Sequence, residues 1–345
     1  MIFGEVPVEE AVGALSVHSL KAGEIVVRKG HAISAEAAAG LRAAGVAKVV
    51  AARLDAGDVG EDEAAARLAR AVGGAKIRLD PAFTGRANLF AETAGILVLD
   101  RAVIDAVNGI DEAVTLATLP DFKPVVAGEM VATVKIIPYA VAGPVLARAV
   151  AAAGEGGTIA VAPYRISRVG VVSTVTPALK SSVIGKTLGA LSHRLETAGA
   201  RIVSDATCRH EAGALRFELE RLAASEAELI VVFGASAIAD RRDVIPTAIE
   251  AAGGQVEHFG MPVDPGNLLL VGRIGDKPVI GAPGCARSPK ENGFDWVLQR
   301  LLAGLEVRRA DITALGVGGL LMEIVSRPQP RSGGEPAPIP DDEEA

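Results

Sequence analysis

The sequence predicts an α/β protein. A mostly parallel, doubly wound sheet is expected in the C-terminal half, after a smaller α+β N-terminal region. Two observations carry this. Between residues 168 and 305, short runs of Val, Ile and Leu alternate with longer stretches of helical periodicity. Strand–helix alternation of that kind builds parallel sheets with helices packed on them. The composition agrees: 50% of the 345 residues are hydrophobic and only 3% aromatic, so Ala, Val, Leu and Gly must build the interior.

Residues 1–75 read as a small α/β unit. Residues 8–15 are amphipathic, and residues 20–29 have strand character ending in a Lys29-Gly30 turn. Ser34 is placed to cap a helix over 35–44 that Gly45 ends. A strand follows over 46–54, then a helix over 61–72 with acids in its first turn, where the helix dipole favours them. Residues 76–155 read as a β-rich region. An apolar run at 96–99 is followed by a helix over 102–107 and a strand over 114–118. A hairpin is expected over 123–137, turning at Ala127-Gly128-Glu129 and punctuated by Pro138 and Pro144. A helix over 147–153 leads to a glycine-rich joint at 154–157.

Residues 165–326 carry the alternation. Strands are predicted over 169–173, 201–204, 229–233 and 279–281, with shorter ones over 256–258 and 268–274. Helices are predicted over 186–198, 213–224, 244–252 and 292–302. Residues 317–325 form a last apolar segment. Residues 327–345 are rich in Pro and Gly and end in Asp341-Asp342-Glu343-Glu344, which reads as a disordered acidic tail.

The net charge is −7. With no basic stripe to offset it, a nucleic-acid partner is not expected. Cys208 and Cys285 lack the paired spacing of a disulfide framework or zinc site, which points to a reducing cytoplasm. There is no signal-peptide pattern and no apolar run long enough for a bilayer, so no membrane partner is expected. His18, His31, His193, His210 and His258 form no metal-spaced pair and read as structural or surface residues.

Neither G-x-x-x-x-G-K-S/T nor a G-x-G-x-x-G after the first strand of the alternating region occurs, which argues against a standard ATPase or dinucleotide dehydrogenase. The candidate chemistry lies in loops after strands, where ligands bind in open α/β sheets. Gly234 and Ala235 permit close approach to the backbone, and Ser236 can donate to an oxygen. Asp243 precedes a helix: it either caps that helix or holds magnesium against a phosphate. Arg241 and Arg242 either bind phosphate or pair with Asp240. In the second loop Pro283-Gly284 makes a turn and Ser288-Pro289 suits a helix start, whose N–H groups favour anions. Each such interaction contributes only about 0.3–1 kcal/mol, so several donors must converge, with Ser288 and Lys290 the obvious additions. Cys285 beside that start is either a low-pKa thiol or a small structural residue, the second being favoured. A third segment holds Thr174, Thr176, Lys180, Ser181, Ser182 and Lys186. Asp264, in a turn cluster over 260–267, is a further carboxylate for a metal or phosphate.

These segments resemble the molybdopterin-binding domain of the Mog, MoaB and MoeA types of molybdenum-cofactor biosynthesis proteins and of gephyrin. Phe233-Gly234-Ala235-Ser236 followed by Arg242-Asp243-Val244-Ile245-Pro246 is similar to T-G-G-T/S…R-D-V-T-P-E, and Gly281-Ala282-Pro283-Gly284 to L-P-G-N-P. The run from Leu20-Lys21-Ala22-Gly23-Glu24 to Gly45-Val46-Ala47-Lys48-Val49 resembles a MoeA N-terminal segment. The resemblance implies a pterin-dithiolene phosphate ligand, often with magnesium and an adenylyl group. It puts Gly234, Ser236, Asp243, Pro283, Gly284 and Ser288 at the pterin-phosphate site. Asp243 would be the catalytic and magnesium-binding residue, and Lys186 or Lys290 would offset charge developing on phosphate. The sequence departs from the pattern at Ala235, Ile245 and Thr247, and has His210-Glu211 where the family tends to place an acid. Binding is therefore favoured over transfer. The reading is a molybdopterin-binding protein in molybdenum-cofactor biosynthesis, maturation or delivery, acting on molybdopterin phosphate with magnesium and ATP if it is an adenylyl- or molybdenumtransferase. The alternative is a non-catalytic carrier or scaffold that serves a molybdoenzyme or cofactor-assembly protein. A third reading is an unrelated nucleotide or sugar-phosphate enzyme. A homo-oligomer is implied by the MoeA likeness.

Overall fold

The computed structural model describes residues 1–154, 156–177, 179 and 181–321. Lys180, the end of the last apolar segment and the acidic tail lie outside the described residues. The chain divides into two compact units. One comprises residues 1–165 with 303–305, the other the remainder.

The first unit has two cores. In the N-terminal one, Ile2–Pro7, Lys48–Arg53 and Leu15–Ser16 form a small antiparallel sheet. The helix Ala35–Ala43 packs Ala38 and Leu41 into its core with Val8, Ile33 and Val49. Ser34 caps that helix through the Ala37 N–H at 3.1 Å, and Gly45 follows it at φ +86°. The segment 20–29 is not one strand. Gly23 at φ +59° folds it into the hairpin Leu20–Ala22/Ile25–Val27.

The second core surrounds the helix Glu61–Val72, whose Ala64, Ala65, Leu68, Ala69 and Val72 are buried. The expected hairpin over 123–137 does not form. Pro124–Val125 pairs with Gly95–Leu99, whereas Met130–Ile136 lies between Val114–Thr118 and Arg86–Ala91. The turn at Gly128 (φ +85°) is present, but its two arms belong to different sheets. Gly156 and Gly157 precede a strand, Ile159–Pro163, which pairs with Gly95–Leu99.

The second unit is built on a six-stranded sheet. In chain order its strands are β1 (Arg168–Val175), β2 (Arg201–Arg209), β3 (Leu229–Phe233), β4 (Gln255–Phe259), β5 (Leu270–Ile274) and β6 (Lys277–Ala282). The order across the sheet is β2-β1-β3-β6-β5-β4. The β2–β1–β3–β6 pairs are parallel, and β5 runs against both its neighbours. The helices are α1 (Ser181–Glu196), α2 (Ala212–Ala223), α3 (Val244–Ala251) and α4 (Gly293–Leu302). All five residues of β3 are buried, as expected of a strand covered on both faces. Val172, Ile230, Val232 and Val279 share a core with α2 and α3. The alternate residue Phe233 meets Phe294 of α4 across a 6.5 Å ring separation. Because β1, β2, β3 and β6 run the same way, the loops after all of them open on one edge.

Candidate functional site

Hydrogen bonds join the end of β1 to the segments that follow β2 and β3. The main-chain N–H of Ala235 donates to Thr174 Oγ1 at 2.8 Å. That hydroxyl lies 2.8 Å from His210 Nδ1, and His210 Nε2 lies 2.9 Å from Ser236 Oγ. The register explains the meeting. Val172 pairs with Val232, so Thr174 and Gly234 fall two residues on, on the same face. Thr174 also pairs with Cys208, so His210 arrives two residues later on β2's side. Thr174 is fully buried, His210 is half-buried and Ser236 is exposed.

The same edge also carries Arg287. It lies in the 3-10 turn Gly284–Arg287 that follows β6. Its Nη2 donates to Gly234 O at 2.6 Å and its Nη1 to Thr187 Oγ1 at 3.1 Å. The guanidinium also stacks over Phe233, 5.7 Å from the ring centre. Burial pushes its pKa down. Among the described residues no carboxylate pairs with it. Desolvating a cation is costly, and here a carbonyl, a hydroxyl and an aromatic face offset that cost.

Gly234 is required by close approach. A Cβ there would stand 2.6 Å from Ser236 O and 3.0 Å from Ile245 Cδ1. Gly281 is equally confined, by Ile238 Cδ1 at 2.9 Å and Leu270 Cβ at 3.0 Å. Gly284, by contrast, has nothing within 4 Å of where a Cβ would stand.

The loop after β6 is held from α1. Arg194 is almost wholly buried. Its Nη1 donates to Ala286 O at 3.0 Å, and its Nη2 to Ser288 O at 2.6 Å and Lys290 O at 3.2 Å. Its Nε pairs with Asp295 of α4. Ser288-Pro289 does not begin a helix. α4 starts at Gly293, where Asn292 Oδ1 accepts from the Phe294 N–H at 3.1 Å and Asp295 accepts from the Asn292 N–H at 2.8 Å. Ser288 Oγ accepts from the Lys290 N–H at 3.3 Å, and the Lys290 side chain is exposed.

Asp243 caps α3. Its Oδ1 accepts from the Val244 N–H at 2.7 Å and its Oδ2 from the Ala239 N–H at 3.0 Å. Among the described residues no group of three His, Cys, Asp or Glu side chains is placed to hold a metal. Arg242 pairs with Asp240 at 2.7 Å and is exposed, and Arg241 Nη1 approaches Val256 O at 3.5 Å. Ser182 and Lys186 are exposed on α1, whereas their neighbour Thr187 faces Arg287. The Asp264 main chain bridges Leu320. Burial raises the Cys285 thiol, the opposite of an activated one, and pushes Cys208 up to about 11.

Sequence reading thus named Gly234, Ala235 and Ser236 but assigned no role to Arg287, Arg194 or Thr187, and set His210 aside. Period-two spacing of Val172 with Thr174 and of Cys208 with His210 was the available signal. Which strands are neighbours had to be known before it could be used.

A family profile described as Domain of unknown function (DUF8806) matches residues 5–53. No curated protein matches the chain. Among solved structures, a molybdopterin biosynthesis MoeA protein from Pyrococcus horikosii is 15% identical, with a TM-score of 0.32, over 88% of this chain and 75% of that one. Molybdenum cofactor biosynthesis protein B is 16% identical, TM-score 0.30, over 41% of this chain and 95% of that one. MogA is 17% identical, TM-score 0.26, over 39% and 90%. Scores this low leave the functional question to the residues themselves.

Proposed function

We infer that the edge formed by the loops after β1, β2, β3 and β6 binds an oxyanion, and that its ligand is the phosphate end of molybdopterin in cofactor biosynthesis or delivery. The observation that carries this is Arg287: a half-buried guanidinium with no carboxylate partner among the described residues, fixed between the Gly234 and Gly284 loops. The same two loops bear the sequence likeness to the molybdopterin-binding signature. A bound phosphate would meet Arg287, the Ser236 hydroxyl and the turn at Pro283-Gly284. Arginine suits such a ligand because its planar fork matches phosphate oxygens.

Both Asp243 oxygens already accept main-chain N–H groups, which favours a carrier over an adenylyl- or molybdenumtransferase that aligns phosphates through magnesium. Calorimetry with purified molybdopterin, with and without magnesium, tests both points. Binding that is unchanged by magnesium and weakened at least about ten-fold in Arg287→Met is expected, since hydrogen bonds to charged groups contribute about 1.5–3 kcal/mol. An absence of wild-type binding, or undiminished binding by Arg287→Met, would sink the reading.

A further inference from the structure

Thr174, His210 and Ser236 stand in the order orienting residue, imidazole, hydroxyl, the layout of a nucleophilic serine with its base. The protons run the other way. Thr174 Oγ1 accepts the Ala235 N–H. Its own proton is fully buried and must be used, because an unpaired buried donor is costly. Among the described residues the sole acceptor within reach is His210 Nδ1. Nδ1 is therefore the lone-pair nitrogen of a neutral ring, and Nε2 carries the hydrogen. That hydrogen points at Ser236 Oγ. Ser236 is thus an acceptor from His210, and its own proton has no partner among the described residues. It is exposed and faces the open edge.

We propose that Ala235, Thr174 and His210 form a one-way donor relay that fixes Ser236 as a hydrogen-bond donor to a tetrahedral oxyanion, with no nucleophilic role. Thr174 and His210 are positioning residues: neither touches the ligand, and each orients the donor after it. Successive bonds in such a chain polarise one another, so the terminal hydroxyl donates more strongly than an isolated serine. In the reverse orientation His210 Nδ1–H would donate to Thr174, stranding the buried threonine proton. A base-activated Ser236 therefore carries a penalty that the donor relay avoids. The proposal rests on the oxyanion reading of the site but not on the identity of the pterin.

The tautomer is read directly from the ring nitrogens of the full chain labelled with 15N-histidine. Wild-type His210 should show a protonated Nε2 and an unprotonated Nδ1. Thr174→Val should lose that fixed pattern and Thr174→Ser should keep it. Titration with sulfate, as a probe that carries no proton at neutral pH, should shift the Ala235 and Ser236 amides saturably. Ser236→Ala should weaken it about ten-fold. A proton on Nδ1, undiminished sulfate binding by Ser236→Ala, no site-localised shifts in the wild type, or covalent capture of Ser236 by diisopropyl fluorophosphate would each overturn the proposal. Sulfate binding with the expected tautomer, but no binding of molybdopterin, would remove the pterin reading and leave the relay standing.

Discussion

Gly234 is held by its neighbours rather than by its own backbone angle. Adding a methyl group would force Ser236 O, 2.6 Å away, to move. Gly234→Ala should therefore lower stability by about 1–3 kcal/mol, the usual cost of overpacking, and should disturb the Ser236 hydroxyl as well. Gly284→Ala meets nothing within 4 Å and should stay within about 0.5 kcal/mol of wild type. Urea unfolding of the two variants separates them. The cysteines give a second check. With Cys208 pushed up to about 11 and Cys285 also raised by burial, iodoacetamide at neutral pH should alkylate both slowly in the native protein and much faster once it is unfolded.

At the scale of elements, the loop after β6 depends on a residue far away in sequence. Arg194 of α1 satisfies three of its carbonyls and pairs with Asp295 of α4. Arg194→Met would remove the donor of the Ala286 and Ser288 carbonyls and the charge partner of Asp295. A loss of about 3–5 kcal/mol is expected, the range for breaking a buried pair from one side. Hydrogen exchange should quicken across residues 284–292 before the rest of the unit. Elements set by local chemistry were legible in the sequence. Ser34 and Asp243 both cap the helices that follow them, and the acids of Glu61–Val72 open that helix. The segment 123–137 was not legible. Its turn at Gly128 is local, but Pro124–Val125 and Met130–Ile136 each prefer a different distant partner.

Over the whole molecule, acid should be destabilising. Glu228 accepts the main-chain N–H groups of Ser167 and Arg168, and Glu129 accepts from Lys123; these bonds hold both carboxyls below their ordinary 4.5. A carboxyl with a depressed folded pKa contributes stability that is fully present above its unfolded value and is lost as pH falls through the folded one. The urea midpoint should hold at neutral pH and decline below about 4.5. Glu228→Gln should flatten part of that decline; an unchanged profile in this variant would refute the assignment.

The sequence by itself determined the α/β class of the second unit, the strand at Leu229–Phe233 and, to within a residue, the helices α2, α3 and α4, whereas α1 begins at Ser181, five residues before its predicted start. Apolar periodicity, caps and glycines act over a few residues, so they can be read from a few residues. Only the tertiary structure decided which polar groups meet. Thr174, His210 and Ser236 come from three strands' ends, and Arg287 reaches Gly234 and Thr187 from a fourth. Those facts follow from strand order and from burial, which raises the cost of every unsatisfied proton and charge. Neither is written in any local run of residues.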